Sequence, residues 1–169
     1  MVDLAEPTYI YRITDYRNLL FILQNGLTAR NHPVVDPNFV RIGYNTLIDS
    51  RNNTIIPIEP KGVLSDYIPF FFTVKPPMLY VIKRKNMIGV EGDQGNIIYL
   101  MSSIEKVEEM ATQFVFTDRN AVMAYANFYR DQRDLSKLDW SVIKSAQWGR
   151  DFGEERIELK QAEFLAHWQ

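Results

Sequence analysis

Four prolines, Pro33, Pro37, Pro57 and Pro60, fall within residues 30 to 62 and limit the possible folds more than any other feature of the chain. Each fixes φ and lacks an amide donor, so this segment forms no long helix and no central strand, and only Ile42 to Arg51 has room for a short helix. The segment follows a single strand–helix unit, which removes the regular βαβ alternation that a doubly wound sheet requires. Read in order, the chain runs strand, helix, long loop, three strands, helix, strand, two helices and a closing element. That order predicts an α+β fold with a mixed central β-sheet and flanking helices. A long ordered loop in a domain of this size is more often functional than idle.

The elements follow from local chemistry. Tyr9 to Ile13 alternates as a strand, Thr14-Asp15 supplies a helix cap, and Leu19, Leu20, Ile22 and Leu23 recur at helical spacing up to the Asn25-Gly26 stop. Phe70 to Phe72 reads as a buried strand, Met78 to Ile82 as a second and Ile97 to Met101 as a third. Ser102-Ser-Ile-Glu105 reads as a capping box that opens a helix through about Ala111. Phe114 to Phe116 predicts another buried strand, Thr117 or Asp118 a cap for a helix carrying Val122, Tyr125, Ala126 and Tyr129, and Asp139 a cap for a short helix with Trp140 and Ile143. Lys144 to Gly153 is a polar loop.

Several chemistries are excluded. There is no glycine-rich Rossmann turn and no Gly-Lys-Ser/Thr, so a nucleotide would have to be bound in another way. With no cysteine and two histidines, His32 and His167, no metal is expected. At 169 residues and 46% hydrophobic, the expectation is one domain over 1–169. A net charge of −2 means that any phosphate contacts come from local clusters. No apolar run reaches membrane-spanning length and the N-terminus lacks a signal-peptide plan, so a cytoplasmic protein without membrane contact is expected.

The closing stretch, Glu154 to Gln169, holds the carboxylate of most interest. Glu163 lies between Ala162 and Phe164, where the chain turns apolar and a carboxylate loses solvation. Ile157, Gln161, Phe164, Leu165 and Trp168 make a helical stripe with Glu163 at its edge, while Phe164, Ala166 and Trp168 also alternate as a strand would. As a strand ending at Gln169 it would have an open outer edge. Arg12 and Thr14, at the end of the first strand, sit where a cation and backbone amides can meet an anion, or where Thr14 caps and Arg12 faces water. Arg51 has no sequence feature of its own.

Seven ordered segments, Tyr11-Arg-Ile-Thr14, Ile42 to Arg51, Leu64 to Phe72, Pro77 to Tyr80, Phe114 to Asp118, Leu138-Asp-Trp140 and Lys160-Gln-Ala-Glu-Phe-Leu165, together resemble the DarT family, toxins that ADP-ribosylate single-stranded DNA. The resemblance covers nearly the whole chain. It implies an ADP-ribosyltransferase fold, NAD as co-substrate, a thymine more than a guanine base in single-stranded DNA as acceptor, a macrodomain antitoxin (DarG) as partner, and a monomer. It implies Glu163 as the catalytic glutamate and Arg51 as the arginine that binds NAD and assists the base. Arg12-Ile13-Thr14 stands where the family has an NAD-contacting His-Ile-Thr, with Arg12 replacing histidine. Residues 35 to 53 would close over NAD, and roughly 105 to 155 would face the acceptor. The family also runs on for some tens of residues past its glutamate, whereas this chain stops six after Glu163, which reads as a C-terminal truncation.

Loss of nicotinamide leaves a positively charged ribose and needs no general acid, so a carboxylate and an arginine suffice without a metal. Candidate contacts to the strand are Lys75, Lys83-Arg84-Lys85, Arg119, Arg150, Arg156 and Lys160, with exposed tyrosines as stacking surfaces. Two other readings stand beside this one: a transferase acting on protein, RNA or water, and a nucleic-acid-binding module without catalysis.

Overall fold

The computed structural model describes residues 7–84, 90–147 and 153–168; Lys85 and Arg150, named above as candidate DNA contacts, lie outside them. Eight strands and six α-helices are described: β1 (Tyr9–Asp15), α1 (Leu19–Asn25), β2 (Gly43–Tyr44), α2 (Asn45–Ser50), β3 (Tyr67–Phe71), α3 (Pro77–Arg84), β4 (Val90–Glu91), β5 (Ile97–Ser103), α4 (Ile104–Glu109), β6 (Phe114–Thr117), β7 (Phe128–Tyr129), α5 (Trp140–Ile143), α6 (Glu154–Leu159) and β8 (Glu163–His167). Six strands form one sheet in the order β5-β1-β3-β8-β6-β7, every neighbouring pair antiparallel. β2 and β4 pair separately. The class is α+β, as the element order predicts, while the central sheet is antiparallel throughout and not mixed.

β8 is the centre of the sheet. Its side chains alternate between two buried faces, so both must be apolar. Phe164 and Ala166 enter one core with Phe70, Phe72, Phe116 and Trp140, whereas Leu165 enters the other with Ile56, Leu64, Tyr67 and Val115. On the first face, register places Phe70, Phe164, Phe116 and Tyr129 in one row across neighbouring strands. Phe72 meets Phe116, Phe164 and Trp140 edge-on, with ring centroids 5.4 to 6.3 Å apart.

Several expected elements form where the residues place them. Gly26 ends α1 at φ 78° and Asp139 caps α5 by accepting the Val142 amide; α4 is capped one residue later than the box reads, Ser103 Oγ accepting the Lys106 amide while Glu105 accepts the Thr8 amide. α2 occupies the space left between the prolines, and Gly43 just before it has φ 94° and packs so tightly that an added Cβ would lie 2.6 Å from Met78 Sδ.

Three expectations are corrected. Met78 to Ile82 is helix rather than strand, because Pro77 opens α3 at a position that needs no amide donor, and a short apolar run does not distinguish the two. No helix follows Thr117-Asp118. The Asp118 carboxylate accepts the Asn127 backbone amide at 3.0 Å and its side-chain amide at 2.8 Å, which draws residues 118 to 127 into a closed loop leading to β7. The closing helical stripe is likewise cut short. α6 stops at Leu159 and β8 begins at Glu163, hydrogen-bonded to β3 on one side and β6 on the other, so its edges are filled from within the domain and not open. Long-range pairing overrides the helical period there.

Phe164→Ala is expected to remove about 3–5 kcal/mol of folding stability, because the ring is fully buried between two strands and the cavity cannot close. Denaturant titration should show a lower midpoint with an unchanged slope; an unchanged midpoint would contradict the central placement of this ring.

Candidate active site

Glu163 is the first residue of β8 and only 3% exposed. A carboxylate this deep must be paired and hydrogen-bonded. Its partner is Arg51, 112 positions earlier at the end of α2, whose Nη1 lies 2.9 Å from Oε2 and 3.3 Å from Oε1. A second donor is the backbone amide of Ala121, 3.3 Å from Oε1. Glu163's own amide is 3.3 Å from Thr117 Oγ1, and that hydroxyl donates to the Arg119 carbonyl at 2.6 Å. The sheet thus fixes the Glu163 backbone, while two loops supply its donors.

Those loops are held independently. Asn52 at the foot of the Arg51 segment accepts the buried Ser65 hydroxyl at 2.6 Å. The loop bearing Ala121 is closed by Asp118, and Asn120 donates to Gln161, two residues before Glu163, at 3.0 Å. Arg119 pairs with Asp118 and Glu158 at 3.4 and 3.6 Å. A carboxylate with preorganised donors of this kind stabilises positive charge on a reacting centre without rearranging.

The three β1 candidates are placed differently, and of them only Arg12 feels the Arg51 charge. Arg12 does not face open water: it is half-buried, its Nη1 donates to the Pro69 carbonyl at 3.0 Å, and burial followed by the nearby Arg51 charge brings its pKa down to about 10. It therefore stays charged at neutral pH. Ile13 is buried in the fold. Thr14 is buried and its hydroxyl accepts Asn18 Nδ2 at 3.0 Å; Asn18 also holds both the amide and carbonyl of Val40, so this end of β1 anchors the proline-rich loop. Two guanidinium nitrogens, Arg51 Nη2 and Arg12 Nε, are buried without a hydrogen-bond partner among the described residues. Unsatisfied cationic donors of this kind fit an anionic or carbonyl-bearing ligand such as a dinucleotide.

The cations offered for a strand separate into groups. Lys160 is fully buried and its ammonium donates to the carbonyls of Val142, Ile143 and Ser145, so it is a structural tie from the turn between α6 and β8 onto the end of α5, not a DNA contact. Its pKa is lowered, first by desolvation and then by Lys75. Lys75 and Lys83 border an open hollow of about 230 Å³ with Tyr80. A larger hollow of about 570 Å³, lined by Glu59, Pro60, Gln113 and Arg130 among others, contains none of the site residues. Among the described residues no cluster of three potential metal ligands occurs, and no helix is long and apolar enough to cross a membrane.

The Ala121 amide, the Asp118–Asn127 closure and the Asn18 anchor have no counterpart in the sequence reading. A backbone donor carries no side-chain signature, and Asp118 has the same appearance whether it caps a helix or closes a loop.

Comparisons with known proteins bear on this site. The family model "ssDNA thymidine ADP-ribosyltransferase, DarT" matches residues 11–169. A DNA ADP-ribosyl transferase of Thermus sp. (strain 2.9) is 42% identical over 163 residues, covering 96% of this chain and 76% of that protein. One from Escherichia coli O127:H6 is 34% identical, covering 97% and 75%. The structure of Thermus sp. 2.9 DarT in complex with ADP-ribosylated ssDNA superposes with a TM-score of 0.86 at 39% identity, over 96% of this chain and 76% of that one. Its complex with NAD+ gives 0.80 at 38%, over the same shares.

Breaking the buried pair should be measurable apart from any activity. Arg51→Ala is expected to lower stability by about 3 kcal/mol by leaving Glu163 buried and unpaired, and by at least about 1 kcal/mol less in a Glu163→Gln background. Denaturation of the four proteins of the cycle checks this; simple additivity would mean that the two side chains do not interact.

Proposed function

The chain belongs to the DarT family of ssDNA thymidine ADP-ribosyltransferases, and from that premise we propose that Glu163 and Arg51 carry the transfer, with Arg12 and Thr14 on the NAD side. The protein is an NAD-dependent DNA ADP-ribosyltransferase. The single observation that carries the residue assignment is the buried Arg51–Glu163 pair, in which the carboxylate is held by three polar contacts and the arginine retains an unsatisfied Nη2.

The chemistry divides between them. NAD+ supplies an ADP-ribosyl group whose C1′ becomes positively charged as nicotinamide leaves as a neutral base. Glu163 can accept a ribose hydroxyl and stabilise that charge, then take the proton from the base nitrogen that forms the new bond to C1′. Arg51 Nη2 is free to donate to a phosphate or to the acceptor base carbonyl, and its planar fork suits either. Arg12, standing where a histidine is expected, brings a second permanent charge to the same side. Ile13 contributes through its backbone position in β1, since its side chain is in the core. An exposed thymine edge on a single strand needs no unpairing.

Family membership supports a wider reading. The chain acts as the toxin of a toxin–antitoxin pair, its partner is a macrodomain antitoxin, DarG, and it works in the cytoplasm as a monomer. Mass spectrometry of a mixed-sequence single-stranded oligonucleotide incubated with protein and NAD+ tests the central reading. One ADP-ribosyl mass on thymidine is expected; modification confined to protein, RNA or water would replace the acceptor.

Two substitutions test the residues. Glu163→Ala should lower transfer by about a hundred-fold or more and leave NAD+ affinity within a few-fold, since the carboxylate acts mainly on transition-state charge. Transfer at the wild-type rate would remove Glu163 from the reaction. Arg51→Lys should be nearly as damaging as Arg51→Ala, because an ammonium keeps the charge but not the paired planar donors; a fully active lysine variant would reduce the role to charge alone.

A further inference from the structure

The loop from Asp118 to Asn127 does more than deliver the Ala121 amide to Glu163. Asp118 closes it through both amides of Asn127, and Asn120 ties it to Gln161. On this rigid loop, four residues beyond Ala121, stands Tyr125. The residue is 55% exposed although its ring is held on two sides. The hydroxyl donates to Glu158 Oε1 at 2.8 Å, and the Arg119 guanidinium lies over the ring with its Cζ 5.0 Å from the centroid. Arg119 is itself fixed by Asp118 and Glu158. The edge and one face of the ring are therefore occupied, and the exposure falls to the remainder.

A flat, pre-oriented aromatic surface backed by a guanidinium is what an unpaired nucleobase stacks on, and such stacking tolerates any base because every base has a π-face. Four residues of chain span no more than about 15 Å, so the ring is within reach of a nucleotide near the one presented to Glu163. Tyr99, by contrast, is exposed on the edge strand β5 and donates its hydroxyl to Val74. We propose that Tyr125, held flat by Arg119 and Glu158, is a stacking platform for a base flanking the modified thymidine. The proposal rests on the reading of the chain as a single-stranded DNA transferase. It adds a binding position outside the Glu163–Arg51 pair.

The test uses fluorescence anisotropy of a labelled single-stranded oligonucleotide with the NAD+-free protein, alongside steady-state transfer. Tyr125→Ala should weaken oligonucleotide binding and raise KM for DNA by about five-fold to a hundred-fold, with KM for NAD+ and kcat within about two-fold. Tyr125→Phe and Tyr125→Trp keep a stacking face and should stay within about three-fold of wild type. With an oligonucleotide whose flanking positions are abasic, wild type should fall to the level of Tyr125→Ala, and the variant should lose nothing more. An unchanged oligonucleotide affinity in Tyr125→Ala would overturn the proposal. So would a Phe variant as weak as the Ala variant, which would assign the effect to the Glu158 hydrogen bond, or a parallel rise in KM for NAD+, which would make the loop a support for Glu163 only. Anisotropy needs no turnover, so binding that depends on Tyr125 without any transfer would count against the transferase reading and leave the platform standing.

Discussion

Everything at this centre depends on a carboxylate that the fold has taken out of water. Glu163 is nearly fully buried, and an isolated ion there would cost several kcal/mol after relaxation. The Arg51 guanidinium and the Ala121 amide offset that cost, and each arrives from a loop on a different side of the sheet's central strand. The consequence is structural as well as chemical. The proline-broken segment that ends at Arg51, and the Asp118-closed loop that bears Ala121, are kept in place partly because the buried charge requires them. A site built this way is rigid where charge develops and irregular where a ligand must enter.

The parts of this arrangement legible in the sequence are those set by local chemistry. Gly26, Ser103 and Asp139 each mark an end or a cap by a mechanism that operates within a few residues, and each does so in the structure. The failures occur where partners distant in sequence decide. Phe164, Leu165 and Trp168 fit a helical period, yet pairing with β3 and β6 makes residues 163 to 167 a strand, because both faces of that strand then find apolar cores. Met78 to Ile82 fits either period, and Pro77 tips it to helix. Asp118 has a cap's chemistry, but its acceptor oxygens serve Asn127, nine positions on.

The candidate site divides along the same line. Glu163 stands out from its neighbours alone, as a carboxylate inside an apolar run. Arg51 has no signature, and family resemblance is what singles it out; the structure then gives it a physical role by bringing it 2.9 Å from a buried anion. Lys160 goes the other way. As a lysine close to Glu163 it reads as a surface cation, but its ammonium is buried against three carbonyls near the end of α5. Composition predicts solvent for lysine, and only the tertiary fold shows that the carbonyls of Val142, Ile143 and Ser145 take the place of water.

The charge balance of the site has a further consequence. Arg12 and Arg51 are close enough for each charge to be felt by the other, and between them the described contacts place one carboxylate, Glu163 on Arg51. Arg12 is instead held by a neutral carbonyl, and both guanidiniums retain a buried nitrogen without a partner among the described residues. Two fixed cations against one carboxylate leave the protein side of the site locally positive before any substrate is present. Repulsion and desolvation make that arrangement unfavourable to the fold by itself, as the lowered pKa of Arg12 registers. An anionic diphosphate would relieve both terms at once by pairing the charges and satisfying the open N–H groups. A histidine at position 12, neutral for much of its time at pH 7, would impose less of this strain and offer less of this attraction. Compared with a histidine, the arginine therefore keeps a permanent charge beside Arg51, at some expense to the stability of the fold.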